Sequence, residues 1–217
     1  MLLRRTLLQK TAKALSITAV LALSSTSLLA CKQQPSEPVI ELITNQGTIV
    51  IQLHPNYAPK TVALFLKHVD AGFYDNIIFH RVIPNFMAQT GGFNEGFIRK
   101  EPLGTVVNES VGGLPNIKGS VAMARTSAPD SASSQFYINV ANNANLNARN
   151  GQPGYTVFGT VIEGQEVAPK ITQLPQGQHA QLGYRNAPNA SVIITSAKRL
   201  KPRVPLVFDT PLPPPSK

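Results

Sequence analysis

The sequence predicts a mainly β domain, folded as a closed barrel or a sandwich, on three observations. Short runs rich in β-branched and aromatic residues recur along the chain, and glycine, asparagine and proline separate them. Only two stretches carry helical periodicity. Strands and helices do not alternate, which argues against a parallel α/β fold. The eight predicted strands are residues 39–44, 48–53, 77–83, 86–89, 120–124, 135–140, 156–162 and 191–197.

The first elements have clear local signals. Residues 45–47, Asn-Gln-Gly, predict a hairpin turn between the first two strands. Pro59 fits the first turn of a helix, where its missing N–H costs nothing. An apolar stripe at helical spacing follows over residues 62–69, and Gly72 supplies a stop signal. The second predicted helix spans residues 165–173.

Residues 1–30 predict a secretory signal peptide and lie outside the predicted domain. Residues 1–13 are basic without an acidic residue, and residues 14–30 are apolar or small; this is the order of a signal peptide. The letters LLAC at residues 28–31 resemble the lipobox of bacterial lipoproteins, in which the cysteine becomes the lipidated first residue. Alternative interpretations are an uncleaved anchor helix and an ordinary secretory signal.

Lipidation is expected at Cys31, which is the only cysteine of the chain. Residues 31–38 are mostly polar with two prolines and predict a short tether. Lys32 resembles the sorting signal for the outer membrane, so we expect a lipid anchor at the periplasmic face of a Gram-negative envelope membrane, the outer one in preference to the inner. Residues 39–201 then form the predicted domain, and the proline-rich residues 202–217 an extended tail.

Composition excludes several classes of function. With 42% hydrophobic residues the chain is not a disordered protein. A single cysteine excludes a disulfide framework and a cysteine-based metal cluster. The net charge of +9 falls to +5 once the four basic residues of the signal are set aside, leaving 16 basic and 11 acidic side chains. We expect no nucleic-acid partner, no metal and no cofactor, because no phosphate loop or HExxH motif occurs.

The letters FHRVIPNFMAQ at residues 79–89 are the most informative local motif. Two polar groups, His80 and Arg81, lie within an otherwise apolar stretch of predicted strand. If the strand alternates, Phe79, Arg81 and Ile83 share one face. That places a fixed cation at the edge of an apolar pocket. The alternative is an arginine whose stem packs on the surface and whose head points into water.

This motif resembles the signature of the cyclophilin family of peptidyl-prolyl cis–trans isomerases. Further motifs of that family recur in family order between residues 39 and 200, and the short middle loops resemble those of bacterial periplasmic members. These motifs are GFY at 72–74, GGF at 91–93, GSVAMAR at 119–125, SSQFYI at 133–138 and VFG at 157–159. The resemblance implies a closed, eight-stranded antiparallel β-barrel capped by two α-helices.

The resemblance also implies a role for each site residue. Arg81 is the catalytic hydrogen-bond donor to the twisting amide, and Gln89 orients it. The substrate-binding positions are Phe86, Met87, Ala124, Arg125, Gln135, Tyr137, Leu146 and Tyr155. Two of them depart from the family pattern: Tyr137 stands where phenylalanine is typical, and Tyr155 replaces a histidine common in animal members. The hydroxyl of Tyr137 therefore needs water or a polar partner.

The implied function is acceleration of X–Pro isomerisation during the folding of envelope proteins, with proline-containing unfolded or extended polypeptides as substrates. The alternative is a chaperone or adaptor that binds proline segments without turning them over. Arg81 favours the enzyme, because a pure binder has no need of a charge opposite the prolyl nitrogen. We expect a monomer, since the helical stripe fits the core of one domain.

Overall fold

A curled antiparallel sheet forms the framework of the domain. The computed structural model describes residues 37–178, 183 and 185–201. The strands are β1 (Val39–Thr44), β2 (Gly47–Leu53), β3 (Ile77–Ile78), β4 (Arg81–Ile83), β5 (Met87–Thr90), β6 (Ser120–Met123), β7 (Phe136–Asn139), β8 (Val157–Glu163), β9 (Gln176–Gly177), β10 (Ala187–Pro188) and β11 (Ile193–Leu200). Nine of them form one sheet in the order β3-β11-β1-β2-β8-β6-β7-β5-β4, and β9 pairs with β10.

The prediction of a mainly β fold is confirmed, but the sheet differs from the closed barrel of eight strands. It has nine strands, and its edges β3 and β4 are not joined by a strand ladder. The predicted strand 77–83 divides between these two edges. Phe79 donates its backbone N–H to Val192 O at 2.9 Å, and Val82 donates to Asn186 O at 2.7 Å. These bonds replace a continuous ladder over the predicted strand 77–83, so no strand ladder joins the edges β3 and β4.

The curl of the sheet follows from its connectivity. Only two residues separate Ile78 at one edge from Arg81 at the other. Three trans peptide steps span at most about 11 Å. Two edges of a nine-stranded sheet can come this close only if the sheet bends round on itself.

Two helices pack against the sheet, as predicted. Helix α1 is Pro59–Asp70, with proline in its first turn and Val62, Phe65 and Val69 buried. Gly72 follows its end with a φ of +61°, a left-handed conformation that suits glycine. Helix α2 is Val167–Thr172, shorter than the predicted 165–173. None of the helices in the described part of the chain is long and apolar enough to cross a membrane.

Strands β4 to β7 separate two apolar clusters. Their alternate residues Val82, Ala88, Val121, Phe136 and Ile138 belong to the main core, which also includes the buried apolar side chains of α1. The residues between them, such as Met87, Ala122 and Tyr137, form a second cluster on the opposite face. The period of two along each strand therefore directs one set of side chains inward and the other to the second face.

The predicted signal peptide, Cys31 with most of the tether, and the predicted tail at 202–217 lie outside the described residues. The same is true of His179. The described residues include Glu37 and Pro38 before β1 and Lys201 directly after β11.

Candidate active site

A row of side chains crosses four strands on the second face of the sheet. Arg81 on β4 pairs with Gln89 on β5, Gln89 with Tyr137 on β7, and Tyr137 with Ala122 on β6. Residues paired in adjacent antiparallel strands point to the same side. The register therefore brings Arg81, Gln89 and Tyr137 together although 56 positions separate the first from the last.

These strands form the floor of a pocket of about 230 Å³. Nine of the ten catalytic and substrate-binding residues predicted from the sequence line it: Arg81, Phe86, Met87, Gln89, Ala124, Arg125, Tyr137, Leu146 and Tyr155. Gln135, the tenth, bonds to Gln89. Met87 and Tyr137 are buried, while Phe86 and Leu146 are half-buried and pack against the same second cluster. The result is an apolar slot with a guanidinium at its edge.

A chain of hydrogen bonds orients Arg81. Its Nη1 donates to Gln89 Oε1 at 3.2 Å, and Gln89 Nε2 donates to Gln135 Oε1 at 2.9 Å. The bond to Gln89 fixes the direction of the guanidinium. Because the group carries five N–H donors, other donors remain for a ligand. Arg81 is half-buried, so its charge is partly shielded from water. Its electrostatic interactions are stronger as a result, because the surroundings screen them less than water does.

His80 lies behind this chain and faces the core. It is fully buried, and its ring packs on Phe93 with centroids 4.8 Å apart. Burial lowers the pKa of His80 to about 4, the hydrogen bonds with the Ile78 backbone and the Gln135 side chain oppose this shift, and the charge of Arg81 adds to it. His80 is therefore neutral near pH 7 and is not part of the pocket lining.

Arg125 stabilises one wall of the pocket through side-chain hydrogen bonds to backbone carbonyls. Its guanidinium donates to the carbonyls of Gly154 at 3.0 Å, Pro153 at 3.0 Å, Thr126 at 2.9 Å and Ser127 at 3.3 Å. The group also lies over the Tyr155 ring, 4.7 Å from its centroid. The resemblance assigned Arg125 to holding the peptide, and these bonds show that it also fixes the wall that carries Tyr155.

The hydroxyl of Tyr137 has the polar partner that its burial requires. It donates to Asn116 Oδ1 at 2.8 Å. Burial raises the pKa of Tyr137, so the hydroxyl keeps its proton and acts as a donor. The sequence analysis missed Asn116, since it precedes β6 in a segment without a motif. The unmet hydroxyl of Tyr137 was the one signal that such a partner existed.

The chemistry available in this pocket is binding and polarisation. Neither a thiol nor a serine–histidine pair lines it, and the described residues contain no group of three His, Cys, Asp or Glu side chains placed to hold a metal ion. Rotation about an amide bond needs no nucleophile, because no covalent bond is made or broken. An apolar slot beside a fixed donor fits such a reaction.

Comparison with known proteins identifies the family. A family model described as "Cyclophilin type peptidyl-prolyl cis-trans isomerase/CLD" matches residues 39–199. The chain is 44% identical over 171 residues to a peptidyl-prolyl cis-trans isomerase of Acinetobacter baylyi, covering 79% of this chain and 90% of the relative. It is 47% identical over 161 residues to peptidyl-prolyl cis-trans isomerase A of Dickeya dadantii, covering 74% and 83%.

The fold has solved counterparts. A crystal structure of a cyclophilin type peptidyl-prolyl cis-trans isomerase from Cryptosporidium parvum matches with a TM-score of 0.63 at 24% identity, over 77% of this chain and 99% of that one. The chain therefore belongs to the cyclophilin-type peptidyl-prolyl cis–trans isomerase family. It is an enzyme that interconverts the cis and trans forms of X–Pro bonds.

Proposed function

We propose that the enzyme isomerises X–Pro bonds of proteins that fold in the periplasm, from a lipid anchor on the envelope membrane. The observation that carries the catalytic part is Arg81, held by Gln89 at the edge of the apolar slot. The localisation rests on the order of residues 1–31, a basic segment and an apolar segment followed by LLAC.

Arg81 acts as the donor that lowers the barrier. Resonance in the X–Pro amide creates a barrier of about 18–20 kcal/mol to rotation. In the twisted state the prolyl nitrogen is pyramidal and more basic than in the planar amide. A guanidinium N–H directed at that nitrogen stabilises the twisted state more than the planar one, and this difference accelerates the reaction.

The apolar wall holds the proline ring while the preceding carbonyl turns. Phe86, Met87 and Leu146 provide the apolar contacts, and the ring of Tyr137 closes the slot. Immobilising one side of the amide leaves rotation of the other as the remaining motion. Gln135 completes the site through its bond to Gln89, which keeps the amide of Gln89 turned so that its oxygen faces Arg81.

Replacement of Arg81 tests the mechanism. Arg81→Ala should lower kcat/KM for a short X–Pro peptide by about 100-fold or more, as removal of one transition-state donor does in other enzymes. Arg81→Lys should recover part of the loss, since it keeps the charge without the planar fork. Arg99→Ala, an exposed arginine outside the pocket, is the matched control and should retain full activity. The measurement is cis–trans exchange by NMR on the chain from Lys32.

Two outcomes would contradict the proposed mechanism. Exchange at the wild-type rate in Arg81→Ala would remove Arg81 from the reaction. Slow exchange by the wild-type chain, with peptide binding retained, would favour a proline-binding chaperone, whose suppression of client aggregation should persist in Arg81→Ala.

The anchor has its own test. Metabolic labelling with a palmitate analogue should mark the wild-type chain, and Cys31→Ser should abolish the label and release the protein from the membrane fraction. Unchanged membrane association of Cys31→Ser would instead indicate an uncleaved anchor helix. Release of an unlabelled wild-type chain would indicate an ordinary secretory signal.

A further inference from the structure

We infer that Asn116 is a positioning residue that holds the walls of the proline pocket in one arrangement, an inference that rests on the isomerase activity of this site. Asn116 lies in the segment before β6 and is only 1% exposed. It does not line the pocket, so any effect on catalysis must pass through the residues that do.

The side chain of Asn116 uses its whole hydrogen-bonding capacity. Its Oδ1 accepts from the hydroxyl of Tyr137 at 2.8 Å and from Asn139 Nδ2 at 3.2 Å. Its Nδ2 donates to the backbone oxygen of Tyr155 at 3.2 Å and to Asn147 Oδ1 at 3.1 Å. A primary amide offers two acceptor and two donor sites, and all four are occupied here.

The partners of Asn116 are the pocket walls or their immediate neighbours. Tyr137 closes the slot with its ring. Tyr155 forms the wall beside Arg125, and Asn147 follows Leu146 directly. The backbone reinforces the connection, since Leu146 O accepts from Tyr155 N at 2.9 Å. One amide therefore connects β7 with the segment that carries Leu146 and with the segment directly before β8.

A second asparagine extends the connection to the remaining wall. Asn143 donates its backbone N–H to Asn116 O at 2.8 Å. Its Nδ2 donates to Phe86 O at 2.9 Å and to Asn139 Oδ1 at 2.6 Å. Asn139 and Asn143 are buried as well. Through this asparagine network, four pocket walls on different parts of the chain meet at Asn116.

The asparagine network is buried behind the pocket walls, so its loss should change substrate binding. Hydrogen bonds out of contact with water are strong, and an unsatisfied polar group there is costly. Loss of the Asn116 amide would leave the Tyr137 hydroxyl without its acceptor and the Asn139 amide with only its bonds to Ser120, and the walls would settle in new positions. Because these walls contact the proline ring in both the planar and the twisted state, the loss falls on KM and spares kcat.

Variants of Asn116 test the inference by separating KM from kcat. Asn116→Ala should raise KM for an X–Pro peptide about three- to tenfold, the range of one or two neutral hydrogen bonds, with kcat within about twofold. Asn116→Asp keeps the size and the acceptor for Tyr137 but replaces the donor to Tyr155 O and Asn147 Oδ1 by an oxygen that faces both, so it should raise KM at least as much as Asn116→Ala. Unchanged KM in both folded variants would overturn the inference.

Tyr137→Phe shows whether the effect passes through the hydroxyl. Alone it should raise KM about twofold to fivefold. In the Asn116→Ala background it should add nothing, because its partner is already gone; full additivity would overturn the inference. If neither Asn116 variant folds, Tyr137→Phe decides by itself, and a wild-type KM would count against the role of the network.

A control separates positioning from loss of stability. Thr44→Val removes a buried hydroxyl that donates to Gly47 O at 2.6 Å in the β1–β2 hairpin, away from the pocket. It should lower the free energy of unfolding and leave KM unchanged. An equal rise of KM in Thr44→Val would show that general destabilisation is the cause and would overturn the inference. Failure of the wild-type chain to accelerate exchange is a separate result, which would contradict the proposed function itself.

Discussion

Two consecutive residues, His80 and Arg81, have opposite environments. His80 is fully buried against Phe93, and Arg81 reaches the edge of the substrate pocket. His80 lies directly before β4 and Arg81 is the first residue of that strand, so adjacent positions supply one side chain to a buried position and the next to the site. The neutral state of His80 matters to Arg81, because a protonated imidazole behind the guanidinium would repel its positive charge.

His80 should make the stability of the domain depend on pH. Its pKa is about 4 in the folded protein and about 6.5 in an unfolded chain, so the unfolded state takes up the proton first as the pH falls. The stabilisation is therefore complete above pH 6.5 and is lost between pH 6.5 and pH 4. Between pH 7 and pH 5 the loss from His80 should be about 2 kcal/mol.

NMR titration measures this pKa directly. The ring protons of His80 should keep a constant chemical shift from pH 8 to about pH 5, and His80→Gln identifies the resonance. Urea denaturation at pH 7 and pH 5 should show a smaller pH effect in His80→Gln than in the wild type. The pKa values of His54 and His68 are also lowered, chiefly by burial, so part of the effect should remain. A His80 resonance that titrates near pH 6.5 would contradict the prediction.

At the scale of secondary structure, helix α1 depends on a distant residue for its first turn. Ala58 at the N-cap makes no side-chain bond. The carboxylate of Glu109 replaces that cap: it accepts from Lys60 N at 3.1 Å, Thr61 N at 2.8 Å and Thr61 Oγ1 at 2.7 Å. Its negative charge also suits the positive end of the helix dipole.

Removal of this cap should destabilise the domain and spare catalysis. Glu109→Ala should lower the free energy of unfolding by about 1–2 kcal/mol, the range observed for lost N-caps. Glu101→Ala, an exposed acidic residue of the same segment, is the matched control and should change stability by less than about 0.5 kcal/mol. Thermal denaturation of both variants provides the comparison. Equal stability of Glu109→Ala and the wild type would show that water caps the helix equally well.

The sequence predicted elements and contacts that depend on local order better than those that depend on remote partners. The hairpin and α1 follow from turn residues and apolar spacing, and both lie within a residue or two of the prediction. The break in the predicted strand 77–83 was missed, since the bonds that cause it go to Val192 and Asn186, more than 100 positions away. Strands β9 and β10, with two residues each, are too short to produce a pattern.

The site shows the same division. The motif around Arg81 allowed its pocket neighbours to be named from family resemblance, and the structure brings them together. Asn116 and Glu109 were not found. Each acts on an element that is 21 to 49 positions away in the sequence, and asparagine and glutamate in loops are common enough to carry no signal alone.

At the scale of the whole molecule, the first and last described strands, β1 and β11, pair with each other. β1 pairs with β11 along its whole length, from Val39 opposite Leu200 to Thr44 opposite Ile194. β11 also pairs with β3 at the open edge. The first and last described strands therefore lie side by side, and among the described residues the nine-stranded sheet ends with Leu200.

This pairing of β1 with β11 predicts that residues 202–217 can be removed without loss of fold or activity. A chain of residues 32–201 should match the chain of residues 32–217 in denaturation midpoint and in kcat/KM. A chain that ends at residue 190 lacks β11, leaves β1 and β3 without their common partner, and should not fold. A lower midpoint for residues 32–201 would contradict the prediction by giving the tail a share in stability. A higher kcat/KM would contradict it in another way, because it would mean that the proline-rich tail competes with substrate for the pocket.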